Sequence, residues 1–491
     1  STTCGIKIFR FQVLYATAAA QLRRLLRPHG VFIPYYNRRP ITEDVPLSVM
    51  SFFFFYVLVF VCLAVGLGML GLDFVTAMSG AATAISNVGP GLGPVIGPES
   101  TFTYLPAALL ETLVAFDTTS AKSNLALIDY VADWLDGHGI ASTRIFNAER
   151  TKANLFATIG PAGNGGVALS GHTDVVPVTG QRWSSDPFVL RHDAASGRLY
   201  GRGSADMKGF IACVLAHVPA FRAAALKVPL HIALSYDEEV GCVGVGGMIA
   251  DFGDDLPKPA VALVGEPTSM RIVDSHKGIR GFRVSLQGVA AHSSAPHLGV
   301  SAIVYAAEIV QFIAAQAAAE RIAADPESRF EPPWTTFNIG RIKGGEALNI
   351  IPEQCSFLWE FRPLPETDAD GIEARVTDFI EHEIVPRMQA EHPDAGAQIE
   401  ALPRVPPLAR HAGSPAERLA RLLTGANDSV TVAYTAEASL FQDAGIPAVL
   451  CGPGDIAQAH QADEWIAATQ LDACSAFLDR LIAWSVAGGK L

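Results

Sequence analysis

The chain has 491 residues, 49% of them hydrophobic and 17% charged, which excludes a disordered chain and leaves room for two or three domains with their own cores. A formal charge of −13 with no dominant basic patch excludes a nucleic-acid binder. Seven cysteines, at 4, 62, 213, 242, 355, 451 and 474, are scattered, odd in number and never in C-x-x-C spacing, so free thiols in a reducing compartment are expected rather than a disulfide framework. The first residue is Ser, so the natural start is expected upstream.

Residues 46–72 form a charge-free apolar run long enough to cross a bilayer, with the transmembrane helix expected at about 47–72. The run is too long and starts too late for a signal peptide. Arg23, Arg24, Arg27, Arg38 and Arg39 precede it, which places that side in the cytoplasm by the positive-inside rule. The Gly/Pro-rich stretch SGAATAISNVGPGLGPVIGP, 79–98, has the composition of a re-entrant pore loop. Residues 1–100 resemble the C-terminal pore segment of Trk-type potassium uptake proteins, with SNVGPGLG similar to a selectivity-filter strand. One loop of the four such a pore needs, without a second span behind it, cannot conduct. A fused remnant or a faulty gene model is therefore the favoured reading. One crossing would also leave the following domain outside the cytoplasm, so the expectation is that residues 1–100 fold back or are foreign to the natural protein.

From about Thr103 the pattern becomes soluble α/β. SNLALIDYVADWLDGHG predicts a helix capped by Ser123, and SPAERLARLLTG a helix with Ser414 as cap, Pro415 first, Glu417 in a capping box and Gly425 as the stop. The short apolar runs VALS, LHIALS, AVALVG and AVLCG alternate with helices and predict a mostly parallel sheet covered on both faces.

Each run is followed by metal-ligand residue types. VALS leads to His172 and Asp174, LHIALS to the acidic triplet Asp237, Glu238 and Glu239, AVALVG to Glu266, and AVLCG to His460; GRGSADMKG contributes Asp206 before a helix. In open α/β sheets ligands bind beyond the carboxyl ends of the strands, so these side chains are expected at one rim. Two imidazoles and three carboxylates suit zinc, cobalt or manganese, and a cation would offset the repulsion within the acidic triplet. No G-x-S-x-G elbow competes, and Cys242 reads as a packing residue.

SGHTDVVP, GRGSADMKG, SYDEEVGCVG, VGEPTS, HKG and AHQADEW, in unbroken order from about 104 to the C-terminus, resemble the dinuclear-zinc amidohydrolases. That family includes acetylornithine deacetylase, aminoacylase, succinyl-diaminopimelate desuccinylase and glutamate carboxypeptidase. The resemblance implies a zinc-peptidase-like sheet domain, 103–277 and 403–491, with an inserted α+β lid through which the family dimerises, 278–402. It implies two divalent ions, zinc or alternatively cobalt, on His172, Asp206, Glu239, Glu266 and His460, with Asp206 bridging. Asp174 would orient His172, and Glu238 would be the general acid/base for a water attacking the substrate amide.

In the lid, GFRVSLQG and QCSFLWEFRPLP read as strands and 299–324 as a long Ala-rich helix. The resemblance implies that His292 reaches a partner subunit's site and contacts the oxyanion. Asn349 and Arg362 would hold the α-carboxylate of an N-acyl amino acid, Arg because its fork matches a carboxylate. Glu437 sits where relatives keep an acid, here preceded by Ala436, and would suit a cationic side chain. VGEPTSMRIVDSHKG and FRPLP are most similar to the acetylornithine deacetylase branch. They imply deacetylation of N2-acetyl-L-ornithine in arginine biosynthesis, by a homodimer whose enzyme part is cytoplasmic. The alternatives are another N-acyl-amino-acid hydrolase of aminoacylase or desuccinylase type, and a membrane transport fragment carrying a non-catalytic binding domain.

Overall fold

The computed structural model describes residues 8–36, 39–42, 44–69, 74–86 and 104–490. It divides into two units, Ser1–Leu105 and Pro106–Leu491. The first holds the helices Ile8–Leu26, Asp44–Met69 and Phe74–Ser86. Asp44–Met69 is hydrophobic on all sides, and Phe54, Phe55 and Val65 are exposed. At about 1.5 Å per residue its 26 residues exceed a hydrocarbon core of about 30 Å, so it is long and apolar enough to span one. Ser79–Ser86, the start of the expected pore loop, is helical, and the rest of that loop lies outside the described residues.

The second unit is built on an eight-stranded mixed sheet. Its order is Val430–Val432, Val273–His276, Ala448–Gly452, Val261–Pro267, Val167–His172, Leu230–Ser235, Ala153–Ile159 and Ser142–Phe146. The four strands from Ala448–Gly452 to Leu230–Ser235 run parallel, which brings four carboxyl ends to one rim. Beyond them the pairings turn antiparallel, at Ala153–Ile159 and at Val273–His276. The central strands are buried throughout because both faces are covered. On one face Ala168, Ala233, Ala262 and Val264 pack with Val245, Met248 and Phe441, while the alternate residues Leu169, Ile232 and Leu263 are equally buried on the other.

The helix Pro415–Thr424 forms as its residues dictate: Ser414 accepts from Glu417 N at 3.2 Å, Glu417 accepts from Gly413 N at 2.7 Å, and Gly425 closes it at φ +76°. The helix Leu125–Gly137 is capped by Asn124 rather than Ser123, without a side-chain cap bond. The Asn124 amide is committed to tertiary structure, donating to Ala153 O at 2.8 Å and accepting from Ala153 N at 3.0 Å.

Between Val273–His276 and its parallel neighbour Val430–Val432 the chain builds a second, four-stranded antiparallel sheet, ordered Thr336–Gly344, Gln354–Arg362, Ile279–Gln287, Gly396–Val405. Alternation along its central strands buries Phe282, Val284, Leu286, Phe357, Trp359 and Phe361 in a separate core, with Phe282 stacked on Trp359 at 4.7 Å. The helix Ala302–Ile322, with Ser301 as its cap, lays Tyr305, Ala306, Ile309 and Ile313 into that core.

Candidate metal centre

His172 ends its central strand, and two residues later Asp174 is buried against the neighbouring turn. Asp174 accepts from Ser120 Oγ at 2.7 Å, from Glu238 N at 3.1 Å and from Glu239 N at 3.3 Å, so its carboxylate fixes the backbone that presents both glutamates. The carbonyl oxygen of Asp174 lies 2.9 Å from His172 Nδ1, whereas its carboxylate is 3.6 Å away. The imidazole is thus oriented chiefly by the main chain, which leaves Nε2 to face Asp206 Oδ1 at 3.0 Å. The opposite oxygen of Asp206 faces His460 Nε2 at 3.2 Å, and that nitrogen is 3.0 Å from Glu239 Oε2.

Among the described residues two groups of donors lie close enough to hold a metal ion: His172, Asp206 and Glu266, and Asp206, Glu239 and His460, the atoms of each group within 4.8 Å of one another. Asp206 belongs to both, one oxygen toward each. Glu239 Oε1 and Glu266 Oε1 are buried without a hydrogen-bond partner, as are both oxygens of Glu437. Orphaned buried carboxylate oxygens are costly, and each of these is an oxygen that a cation would satisfy. Nitrogen and oxygen donors in this proportion fit divalent ions of the zinc class.

The electrostatics have the same cause. Burial pushes Glu238 well above the ordinary carboxylate range, and the charges of Glu266, Glu239 and Glu437 add to it against His172. Burial and Asp206 do the same to Glu266 and, less strongly, to Glu239. Burial pushes Glu437 up to about 7. Asp206 is held below its ordinary value, because its hydrogen bonds to His172 and His460 outweigh burial. His172 is raised well above 6.5 although burial opposes it, through Asp174 and Asp206, and hydrogen bonds to Asp206 and Glu239 raise His460 to about 10. The raised proton affinities of these histidines and glutamates mark uncompensated negative charge, which a divalent ion held by the same atoms would balance.

The third acid of the sequence triplet is not in this group. Asp237 turns away, at φ +55°, and binds Lys152 Nζ through both oxygens at 2.5 and 2.7 Å. Cys242 is buried with Sγ 3.4 Å from Glu238 Oε1, and burial pushes its thiol far above neutrality, so it is a neutral packing group. His292 lies in an exposed loop, accepting from Ser294 N at 3.1 Å, and is next to Asn349, whose carbonyl accepts from Ser293 N at 3.0 Å. Arg362 ends its strand with Nε donating to Glu360 at 3.1 Å, and beside it Lys277 is lowered to about 8 by burial and the Arg362 charge. Among the described residues no hydrogen bond or ion pair joins His292, Asn349 or Arg362 to the carboxylate cluster.

Two groups escaped the sequence reading. The Tyr434 hydroxyl is buried and unpartnered, and burial together with the Glu266 and Asp206 charges holds it neutral. Glu464, four residues beyond His460 in the same AHQADEW motif, is buried and hydrogen-bonds the Asp206 loop. The signal available was an acid within four residues of the expected ligand His460, in the same motif.

Residues 168–484 match the family model of peptidase family M20/M25/M40, and residues 1–114 match that of TrkH cation transport proteins. The chain is 37% identical over 386 residues to an acetylornithine deacetylase of Myxococcus xanthus, covering 77% of this chain and 97% of that protein. It is 34% identical over 376 residues to one of Pasteurella multocida, covering 76% and 94%. Its fold is similar to that of an M20 metallo-carboxypeptidase from Sulfolobus solfataricus (TM-score 0.62, 16% identity, 78% of this chain and 99% of that one). A Bacillus subtilis structure described as a dinuclear metal-binding M20 peptidase is also similar (TM-score 0.54, 16% identity, covering 78% and 98%). A rim of parallel strand ends, an aspartate shared by two donor groups and these matches agree: from the second unit onward, the chain belongs to peptidase family M20/M25/M40.

Proposed function

We propose that the chain is a zinc-dependent deacetylase that hydrolyses N2-acetyl-L-ornithine to acetate and L-ornithine, the step that yields ornithine for arginine biosynthesis. The observation that carries this reading is Asp206, placed between His172 with Glu266 on one side and Glu239 with His460 on the other, with the half-buried Glu238 beside them. His172 and Glu266 would hold one ion, Glu239 and His460 the other, and Asp206 both. Bound there, the ions supply Lewis acidity for the amide carbonyl and a water whose pKa falls from 15.7 to about 7. Glu238 takes the proton of the attacking water and passes it to the leaving nitrogen.

Arg362 and Asn349 would receive the substrate α-carboxylate. Glu437, with both oxygens unpartnered, would receive the side-chain ammonium of ornithine, and that charge would bring it back to the ionised form. His292 would act from a second subunit, in a homodimer formed through the four-stranded sheet. The names of the Myxococcus xanthus and Pasteurella multocida relatives support the substrate. The enzyme unit would work in the cytoplasm, with membrane association only through the apolar helix Asp44–Met69. The test is acetate or acyl release by the zinc-loaded chain from N2-acetyl-L-ornithine, N-acetyl-leucine and N-succinyl-diaminopimelate. The highest kcat/KM is expected for N2-acetyl-L-ornithine, and a higher value for either other substrate overturns the assignment.

A further inference from the structure

Asp206 is the side chain common to both donor groups, so both sites depend on how the loop before it is held. That loop leaves a short strand at Tyr200 and turns at Gly203, whose φ is +79° and where a Cβ would meet Val175 Cγ1 at 2.7 Å. Its amides converge on one carboxylate. Glu464 Oε1 accepts from Ala205 N at 2.9 Å and from Asp206 N at 3.1 Å, while Oε2 accepts from Gly203 N at 3.0 Å and from Arg202 Nη1 at 2.7 Å. The Glu464 carbonyl accepts from Gly201 N at 2.9 Å, so the same residue binds the loop at both ends.

The network does not stop there. Arg202, as deeply buried as Glu464, donates from Nη2 to Gln181 Oε1 at 2.5 Å and lies over the Trp183 ring. Gln181 Nε2 donates to the carbonyl of His460 at 2.9 Å, and Asp463 accepts from Ser184 N and Oγ at 2.9 Å each. A continuous path therefore runs from the Asp206 amide through Glu464, Arg202 and Gln181 to the main chain of His460. His460 has the side chain most open to solvent among the five donors, 50% exposed, and sits at φ +60°, in the left-handed region that few non-glycine residues occupy. It is the donor most in need of external support.

We propose that Glu464 is a positioning residue that sets the Asp206 loop and, through Arg202 and Gln181, holds His460 against Glu239, so that the ion on the Asp206–Glu239–His460 side is bound tightly only while this network is intact. The proposal rests on reading those side chains as metal ligands. Groups that orient ligands typically contribute 10–100-fold in metal affinity. Glu464→Gln keeps the shape but replaces one acceptor oxygen by a donor facing Gly203 N or Arg202, and Gln181→Ala cuts only the link to His460.

The experiment is zinc titration of the full chain in detergent against a chromophoric chelator, alongside the melting temperature of the metal-free chain and kcat at low and saturating zinc. Wild type is expected to bind two ions. Glu464→Gln should weaken both sites, since both use Asp206, and the His460 side 10–100-fold, with kcat recovering at saturating zinc, whereas Gln181→Ala should weaken the His460 side alone without lowering the metal-free melting temperature. If Glu464→Gln fails to fold, Gln181→Ala decides by the same criterion. Variants that bind both ions with wild-type affinity overturn the proposal alone, whereas a wild-type chain that binds no zinc overturns the metal centre and the proposal with it.

Discussion

Glu238→Gln separates the proton-transfer role from ligation more sharply than any other single change. The Glu238 backbone is held by Asp174, and its side chain is enclosed by Glu239, Glu266, Glu437 and the Cys242 thiol, so a glutamine of the same shape keeps the packing. Glutamine cannot accept the proton of the attacking water or return one to the amine. General acid–base catalysis contributes 10²–10⁴-fold, and on the proposed mechanism Glu238 would serve as both base and acid in each turnover, so kcat should fall by that factor, about 2.7–5.4 kcal/mol of barrier. Glu238 belongs to neither donor group, so zinc content should stay at the wild-type value. Removing one carboxyl from a set of mutually repelling buried acids should also raise the melting temperature of the metal-free chain. The assay is acetate release from N2-acetyl-L-ornithine together with metal analysis of the same sample. A kcat within a few-fold of wild type refutes the proton-transfer role, and loss of zinc shows that Glu238 is a ligand instead.

The metal-free chain should lose stability as pH rises. Glu437 and His460 have folded values near 7 and 10, above their ordinary 4.5 and 6.5, so their contributions are complete below the ordinary values and are lost as pH passes the folded ones. Zinc replaces the protons on His172 and His460, so the melting-temperature gain from saturating zinc should grow between about pH 6 and about pH 8, as scanning fluorimetry would read; a shrinking gain contradicts the assignment. If His292 serves the partner subunit's site, His292→Ala and Glu238→Gln chains, each inactive alone, should regain part of the wild-type rate when mixed and reassembled, and a mixture as inactive as its components rejects the shared site. A chain beginning at Thr103 should be soluble and retain wild-type kcat/KM, and an insoluble or inactive product would tie the first unit to the enzyme.

The donors were readable because the rule placing ligands beyond strand ends needs only the order of apolar runs and the residues after them. His172 and Glu266 lie at the carboxyl ends of parallel strands, Glu239 and His460 follow such strands, and Asp206 precedes a helix. What composition and spacing do not contain is the partner of each polar group. Asp237 looks equivalent to Glu238 and Glu239 until the strand turn points it at Lys152, 85 residues earlier. Asn124 takes the cap position but its amide is bound to the strand at Ala153, so it is the Ser123 hydroxyl that accepts from Leu125 N, at 3.2 Å. Asp174 was expected to orient His172, and its carbonyl oxygen lies 2.9 Å from His172 Nδ1; that its carboxylate also holds the Glu238 and Glu239 amides is what the spacing does not record. The central sheet is parallel as its apolar runs imply, whereas the antiparallel flanks follow from connections whose direction no local pattern records.

The central claim is that five side chains distant in sequence bind a pair of divalent ions. Metal analysis of the purified chain after equilibration with zinc, beside Asp206→Ala treated identically, tests it most directly. The account predicts two ions per chain in the wild type and loss of both tight sites in the variant, because Asp206 faces each. A wild-type chain without zinc, or an Asp206→Ala chain that binds as much as wild type, would contradict it.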